Sequence, residues 1–316
     1  MLAENARSGR RGDVAALIGA STARRSSDLS AQKSDKTGQQ PIGPTTVDVK
    51  SVLNYTRDTG IAPEVYFYEP PPGTQWRTSG DDPHEMIIHD GWDRAKSFAL
   101  DREGFALREF RSPFQDWDDD AAIRARLYGD VENFVKKEVG AKRVIIFDHT
   151  IRAQSNVAVT RSEHSTSRRA PVMNIHCDYT GQSGPLRVRQ LLPDEAGELL
   201  THRVAFYNFW KPLRRKVEER PLAICDVTTS SESDFLTMKL RYRDREGEIF
   251  VMRYSPQHRW WYFPQMTPDH VVLLKTYESE TDGRARFVGH SAFEDPSTPP
   301  NAPMRESIEI RTMAFF

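Results

Sequence analysis

The stretch from Pro171 to Gly181, PVMNIHCDYTG, sets Asn174, His176 and Asp178 at every second position, with Met173, Ile175 and Cys177 beside or between them. In an extended strand that period of two sends the polar side chains to one face and the apolar ones to the other. An imidazole and a carboxylate on one face could grip a single metal ion. A second histidine would complete a set that leaves three coordination positions open, the arrangement suited to non-haem Fe(II) and oxygen chemistry. The triplet alone is weak: of nine histidines only His176 stands in an H-x-D or H-x-E arrangement, and composition predicts about one such match by chance. An ordinary half-exposed strand fits it as well.

The third arm has three late candidates. His258 lies in the turn-like SPQHRWW, His270 follows TPD where it could simply begin a strand, and His290 ends RARFVGH. What sets His290 apart is Arg305, a little further on in RESIEIR. There Arg305 and Ser307 share one strand face while Ile308 and Ile310 take the other, so a guanidinium and a hydroxyl could converge on one inward anion. R-x-S also occurs at Arg24, Arg25 and Arg77, so it carries weight only through its place after His290.

These side chains need a scaffold. From Val204 onward the chain reads as successive short strands: VAFYNFWKP, LAICDVTT, DFLTMKLRYR, EIFVMRYS, RWWYFP, HVVLLKTYE, RARFVGHSAF and SIEIRTMAFF. Such a series at turn-marked intervals predicts a mostly β fold with flanking helices, a double-stranded β-helix or cupin-like jelly roll. Earlier, EVYFYEPP and HEMIIHDGWD read as short strands. In DWDDDAAIRARLYGDVENFVKKEVG, Ile123, Leu127, Val131, Phe134 and Val135 keep helical spacing, acids crowd the start, and Gly140 follows the end. RVIIFDHTIR comes directly after as a β-branched core strand, and GPLRVRQLLPDEAGELLTHR reads as helical. Trp260, Trp261 and Tyr262 are expected in the core.

Residues 1–43 are rich in Ser, Gln, Lys and Gly with few large apolar groups, so a disordered tail is expected, with a short helix near DVAALIGA. The basic, Ser-rich AQSNVAVTRSEHSTSRRAP reads as a loop. The remaining residues, 44–316, would form the one globular domain. With 44 Lys plus Arg against 45 Asp plus Glu, the net charge of −1 provides no global field toward nucleic acid or anionic lipid. A small-molecule partner is expected, with no nucleic acid and no membrane. Two cysteines suit a reducing, cytoplasmic setting. Arg7, Arg10, Arg11, Arg24 and Arg25 suggest a mitochondrial transit peptide, against which Glu4 and Asp13 count.

In order along the chain, VIIFDHTIR, MNIHCDYT, FYNFWKPL, PLAICD, HRWWYFPQMTPDHVVLLKTYES, GHSAFEDP and RESIEIR resemble a fungal and bacterial family of Fe(II)/2-oxoglutarate oxygenases. That family includes the gibberellin desaturase of fungi and the cephalosporin 7α-hydroxylating component of cephamycin biosynthesis. The resemblance runs from about Thr45 to the C-terminus. It implies a double-stranded β-helix, iron on His176, Asp178 and His290, and 2-oxoglutarate held by Arg305 and Ser307. Where His270 stands the family carries an acidic residue, which argues against His270 as a ligand. Cys177 departs from many relatives but should face away from the iron. Asn208, in a segment similar to the family's Asn-x-Trp-x-Pro phrase, would hydrogen-bond co-substrate or substrate, or else cap a turn. Asn174, on the face of His176, is a further candidate for touching substrate or for supporting a metal ligand. Arg152 would anchor a substrate carboxylate or else make a surface ion pair. Tyr179 and Phe206 are candidates for a pocket wall.

The implied chemistry is O2-dependent decarboxylation of 2-oxoglutarate to succinate and CO2 coupled to hydrogen abstraction from a small molecule, ending in hydroxylation, desaturation or ring closure. Two other classes compete: a zinc hydrolase on the same triad, since zinc also accepts His and carboxylate with an open position, and a cupin-like binding module without catalysis, against which the R-x-S after His290 speaks.

Overall fold

The structure, a computed structural model, describes residues 47–153 and 169–316. The expected tail with its short helix, and nearly all of the basic loop before Pro171, lie outside the described residues. The strands in chain order are β1 (Val49–Thr56), β2 (Glu64–Tyr66), β3 (Asp81–Asp90), β4 (Phe105–Glu109), β5 (Arg143–Ala153), β6 (His176–Cys177) and β7 (Val204–Pro212). They continue as β8 (Leu222–Cys225), β9 (Phe235–Arg241), β10 (Glu246–Met252), β11 (Trp260–Tyr262), β12 (His270–Glu278), β13 (His290–Ala292) and β14 (Glu306–Phe315). They form a nine-stranded sheet, β1-β3-β11-β8-β13-β6-β10-β9-β2, and a five-stranded sheet, β4-β12-β7-β14-β5. No helix among the described residues is long and apolar enough to cross a membrane.

β7 is buried at every position, as an unbroken apolar and aromatic run covered on both faces requires. Its alternation sorts the two sides of the five-stranded sheet. Ala205, Tyr207 and Phe209 join Ile308 and Ile310 of β14 against Ile123, Leu127, Val131 and Val135. Those four, at intervals of four residues, make the buried stripe of the predicted helix. It begins as α1 (Asp120–Ala122), capped by the Asp119 side chain accepting from the Ala122 amide at 3.0 Å. A π turn at Ile123–Leu127 follows, then α2 (Tyr128–Val139), which Gly140 ends in the left-handed region at φ +70°. On the other side of the sheet Trp210 packs with Phe105, Ile224, Trp261, Val272 and Leu274 into the core between the sheets. Trp260, Trp261 and Tyr262 are all buried, as expected.

The predicted helical segment after Gly181 appears as α3 (Ser183–Leu191) and α4 (Ala196–Leu199), whose Val188 and Ala196 pack on Phe206, Tyr277, Met313 and Phe315. The strand expected across PVMNIHCDYTG shrinks to the two residues of β6. His176 and Cys177 pair with Val251 and Phe250 of β10, and His176 pairs with His290 of β13 on its other side. Before it, Asn174 makes only an isolated parallel bridge to Asn54. RARFVGHSAF likewise joins the sheet only at His290–Ala292. Gly289 passes so close to Met252 that a Cβ would lie 2.2 Å from its sulfur.

Candidate metal centre

Because His176 and His290 are direct partners across β6 and β13, their rings lie side by side, centroids 4.5 Å apart. Each Nδ1 faces a backbone carbonyl two residues upstream: His176 that of Asn174 at 2.9 Å, His290 that of Val288 at 3.1 Å. A carbonyl only accepts, so both Nδ1 atoms carry the proton and both Nε2 lone pairs are left for a ligand. Just past β6, Asp178 brings Oδ1 to 3.7 Å from His176 Nε2. One donor atom from each of the three residues falls within a common 4.8 Å. Among the described residues they are the one cluster of His, Cys, Asp and Glu of this kind. Cys177 points away as expected, its thiol donating to the Thr276 carbonyl at 3.2 Å.

The electrostatics suit a cation. Burial, then the neighbouring His290, push His176 down to about 4, so its ring is neutral near pH 7. Burial alone would raise the Asp178 carboxyl, but Arg311, the two histidines and the Asn208 amide outweigh it and hold the group well below the carboxylate range.

Arg305 and Ser307 are both buried. One Arg305 nitrogen, Nη1, donates to the Arg220 carbonyl at 2.5 Å. Its Nε has no partner, nor do Ser307 Oγ and His290 Nε2, three of the seven such buried side-chain atoms among the described residues. Buried polar groups are normally satisfied, so the chemistry of the orphaned atoms on these three residues would suit a cation at His290 and an anionic acceptor at Arg305 and Ser307. Burial and the nearby Arg152 depress the Arg305 guanidinium to about 9, an environment that an incoming carboxylate would relieve.

Other predicted residues fall less simply. Asn208 donates to Asp178 Oδ2 at 2.7 Å from within β7, so its amide supports the carboxylate and does not cap a turn. The Asn174 amide donates outward to Asp81 at 2.8 Å, while its carbonyl serves the site by accepting from the His176 ring. The β6 ladder begins only at His176, and Asn174 is held instead by its bridge to Asn54 and by Asp81. Arg152 is no surface group. It sits directly opposite Ser307 in the β5–β14 register, and its burial and the proximity of Glu309, Arg311 and Asp178 shape its charge. Tyr179 lines a cavity of about 770 Å³ that opens beside Asp178. Phe206 stands behind Tyr179, ring to ring at 4.8 Å, and does not line that space. His270 is occupied with Thr267 at 2.9 Å, and His258 lies buried between Tyr55 and Asp234.

Arg311 and Glu309 went unread. Arg311 Nε donates to Asp178 Oδ2 at 3.1 Å, Nη1 to Asp148 and Thr150 at 3.1 Å each, and Nη2 to Glu309. The signal was available: the alternation that pairs Arg305 with Ser307 continues through Glu309 to Arg311 on the same face.

The family profile described as an oxidoreductase/YMDC permease-like domain matches residues 53–315. A Fe(II)/2-oxoglutarate-dependent dioxygenase of Aspergillus novofumigatus, nvfI, is 30% identical over 284 residues, 87% of this chain and 99% of that protein. The hydroxylase/desaturase efuI of Hormonema carpetanum is 29% identical over 249 residues, 73% of this chain and 83% of its own length. A solved structure of the iron and alpha-ketoglutarate-dependent endoperoxidase NvfI superposes with a TM-score of 0.76 at 27% identity, covering 85% of this chain and 98% of that one. The nvfI protein is named for its dependence on iron and 2-oxoglutarate, and the paired imidazoles, the carboxylate, Arg305 and Ser307 described above are of the residue types such chemistry would need. The chain belongs to the oxidoreductase/YMDC permease-like domain family and, with these relatives, to the Fe(II)/2-oxoglutarate-dependent dioxygenases and hydroxylase/desaturases.

Proposed function

We propose that the oxygenase reaction of this chain runs at one centre, with Fe(II) on His176, Asp178 and His290 and the far carboxylate of 2-oxoglutarate on Arg305 and Ser307. The observation that carries this reading is the coincidence of orphaned buried atoms, His290 Nε2, Arg305 Nε and Ser307 Oγ, on the residues that such a site needs. The iron, when bound, supplies the means of coupling O2-dependent decarboxylation of 2-oxoglutarate to hydrogen abstraction from a substrate. The protein supplies position and exclusion. His176 and His290 leave Nε2 free by keeping the ring proton on Nδ1, which donates to a backbone carbonyl. Arg305 and Ser307 orient the co-substrate, and the cavity beside Asp178 receives a small molecule against Tyr179. Arg152, facing the same side as Ser307, would anchor a substrate carboxylate. Placement of the substrate C–H then selects among hydroxylation, desaturation and ring closure.

The two-sheet arrangement supports a double-stranded β-helix, and the grouping of Thr45–Phe316 into one unit supports a single oxygenase domain over 44–316. The phrases quoted above support membership of the gibberellin desaturase and cephamycin-type branch. Secondary-metabolite intermediates are the substrate class we propose, and two free, buried thiols fit a reducing cytoplasm. The deciding experiment is anaerobic titration with Fe(II) and 2-oxoglutarate, followed by O2 and mass spectrometry over a panel of biosynthetic intermediates. Succinate formation that needs both iron and 2-oxoglutarate supports the reading. Turnover with zinc and no keto acid would replace it with a hydrolase, and no binding of either would leave a binding module.

A further inference from the structure

We infer that Arg311 and Asn208 act as a clamp that confines Asp178 to donating one oxygen, and so keep open the coordination positions that co-substrate and O2 require. The inference rests on the site proposed above and concerns the two residues that donate to Asp178 Oδ2. An ionised carboxylate has about four lone-pair sites over its two oxygens and can bind a metal through one oxygen or both. At Asp178 the two oxygens are treated differently. Oδ2 accepts from Asn208 Nδ2 at 2.7 Å and from Arg311 Nε at 3.1 Å. Oδ1 accepts from neither and lies on the side of His176 Nε2, at 3.7 Å. A metal approaching Oδ2 would have to displace two hydrogen bonds and settle against a guanidinium of its own sign.

The clamp is itself immobilised. Arg311 is fixed through its remaining nitrogens on Asp148, Thr150 and Glu309. Strand register sets the geometry: Arg311 of β14 stands opposite Asn208 of β7 on one side and Asp148 of β5 on the other, one row of three groups across the sheet. Three protein donors leave three positions on a six-coordinate ion, two for the keto acid and one for O2. A second Asp178 oxygen would take one of them. Arg311 is therefore a positioning residue, acting through Asp178.

The test uses the full-length protein stripped of metal, with Co(II) as a stable, coloured probe. Wild type, Arg311→Met, Arg311→Lys and Asn208→Ala are titrated anaerobically with Co(II), then with 2-oxoglutarate, reading the visible absorption of the bound ion. Melting of each metal-free variant checks folding. Removing a group that orients a metal-bound carboxylate weakens metal affinity by roughly 10–100-fold, and that loss is expected for Arg311→Met, with a smaller one for Asn208→Ala. In both, the Co(II) spectrum changes before 2-oxoglutarate is added and responds less when it is, while Arg311→Lys recovers part of the affinity and little of the spectrum. X-ray absorption on the loaded proteins should show more oxygen neighbours in Arg311→Met than in wild type. If the Arg311 variants fail to fold, Asn208→Ala, which removes one hydrogen bond, carries the test alone. Wild-type spectra and affinities within twofold in the folded variants overturn the clamp and leave the site intact. Failure of wild type to bind Co(II) overturns the site and the clamp with it.

Discussion

Arg305 and Ser307 each keep a buried polar atom without a partner, which costs on the order of 1–3 kcal/mol apiece until something fills the place. A charge-assisted contact to a carboxylate returns that and more. Arg305→Ala is accordingly expected to raise the KM for 2-oxoglutarate about 10–100-fold with kcat far less affected, read from succinate formation against co-substrate concentration. Arg305→Lys should recover only part, because an ammonium does not reproduce the planar fork. The histidines separate more sharply. His176→Ala and His290→Ala should each abolish 2-oxoglutarate-dependent succinate formation, whereas His270→Ala, whose ring is occupied with Thr267, should retain it. Turnover by His290→Ala with His270→Ala inactive would refute the proposed ligand set.

At the scale of elements, long patterns were legible and short ones were not. The run VAFYNFWKP became β7 with its predicted bounds, and the stripe Ile123, Leu127, Val131, Val135 became a helix face, because burial across a whole element overrides local detail. The strand around His176 was over-read: alternation says which way side chains would point in a strand, but the length of pairing depends on where β10 and β13 pass. The same limit hid Arg311 and the contact of Asn208 with Asp178. That they meet at Asp178 follows from the β7–β14 register, a relation between distant segments that neither segment carries alone. Phe206, expected in the pocket wall, lies one layer back because Tyr179 packs over it. Gly289 shows how tightly β13 is delivered to its place. Gly289→Ala would force a methyl to within 2.2 Å of the Met252 sulfur. It is expected to cost about 1–3 kcal/mol in urea unfolding, and to weaken Co(II) binding by shifting the neighbouring His290.

At the scale of the whole molecule, β1 is tied to the core by a buried relay: Trp260 Nε1 donates to the Tyr55 hydroxyl at 2.8 Å, which meets His258 Nδ1 at 3.1 Å, while His258 Nε2 meets Asp234 at 3.2 Å. Burial lowers His258 below its ordinary value of 6.5 even though Asp234 opposes this. As pH falls the unfolded chain therefore takes up the proton first, so the stability this group contributes is present above about pH 6.5 and lost on acidification below it. His258→Gln should flatten the fall in the urea midpoint of the metal-free protein between pH 7.5 and 5.5; an unchanged slope would remove His258 from the account. The direct pairing of His176 with His290 reaches furthest. These two residues lie far apart along the chain, so an ion shared between them closes a long loop, as a cross-link would. Because the unfolded chain offers no such pair, each tenfold rise of free metal above its dissociation constant adds about 1.4 kcal/mol to the folded state. Iron supply would then govern how much of this protein survives unfolding and proteolysis as well as how fast it turns over, and a cell short of iron would hold less of the enzyme.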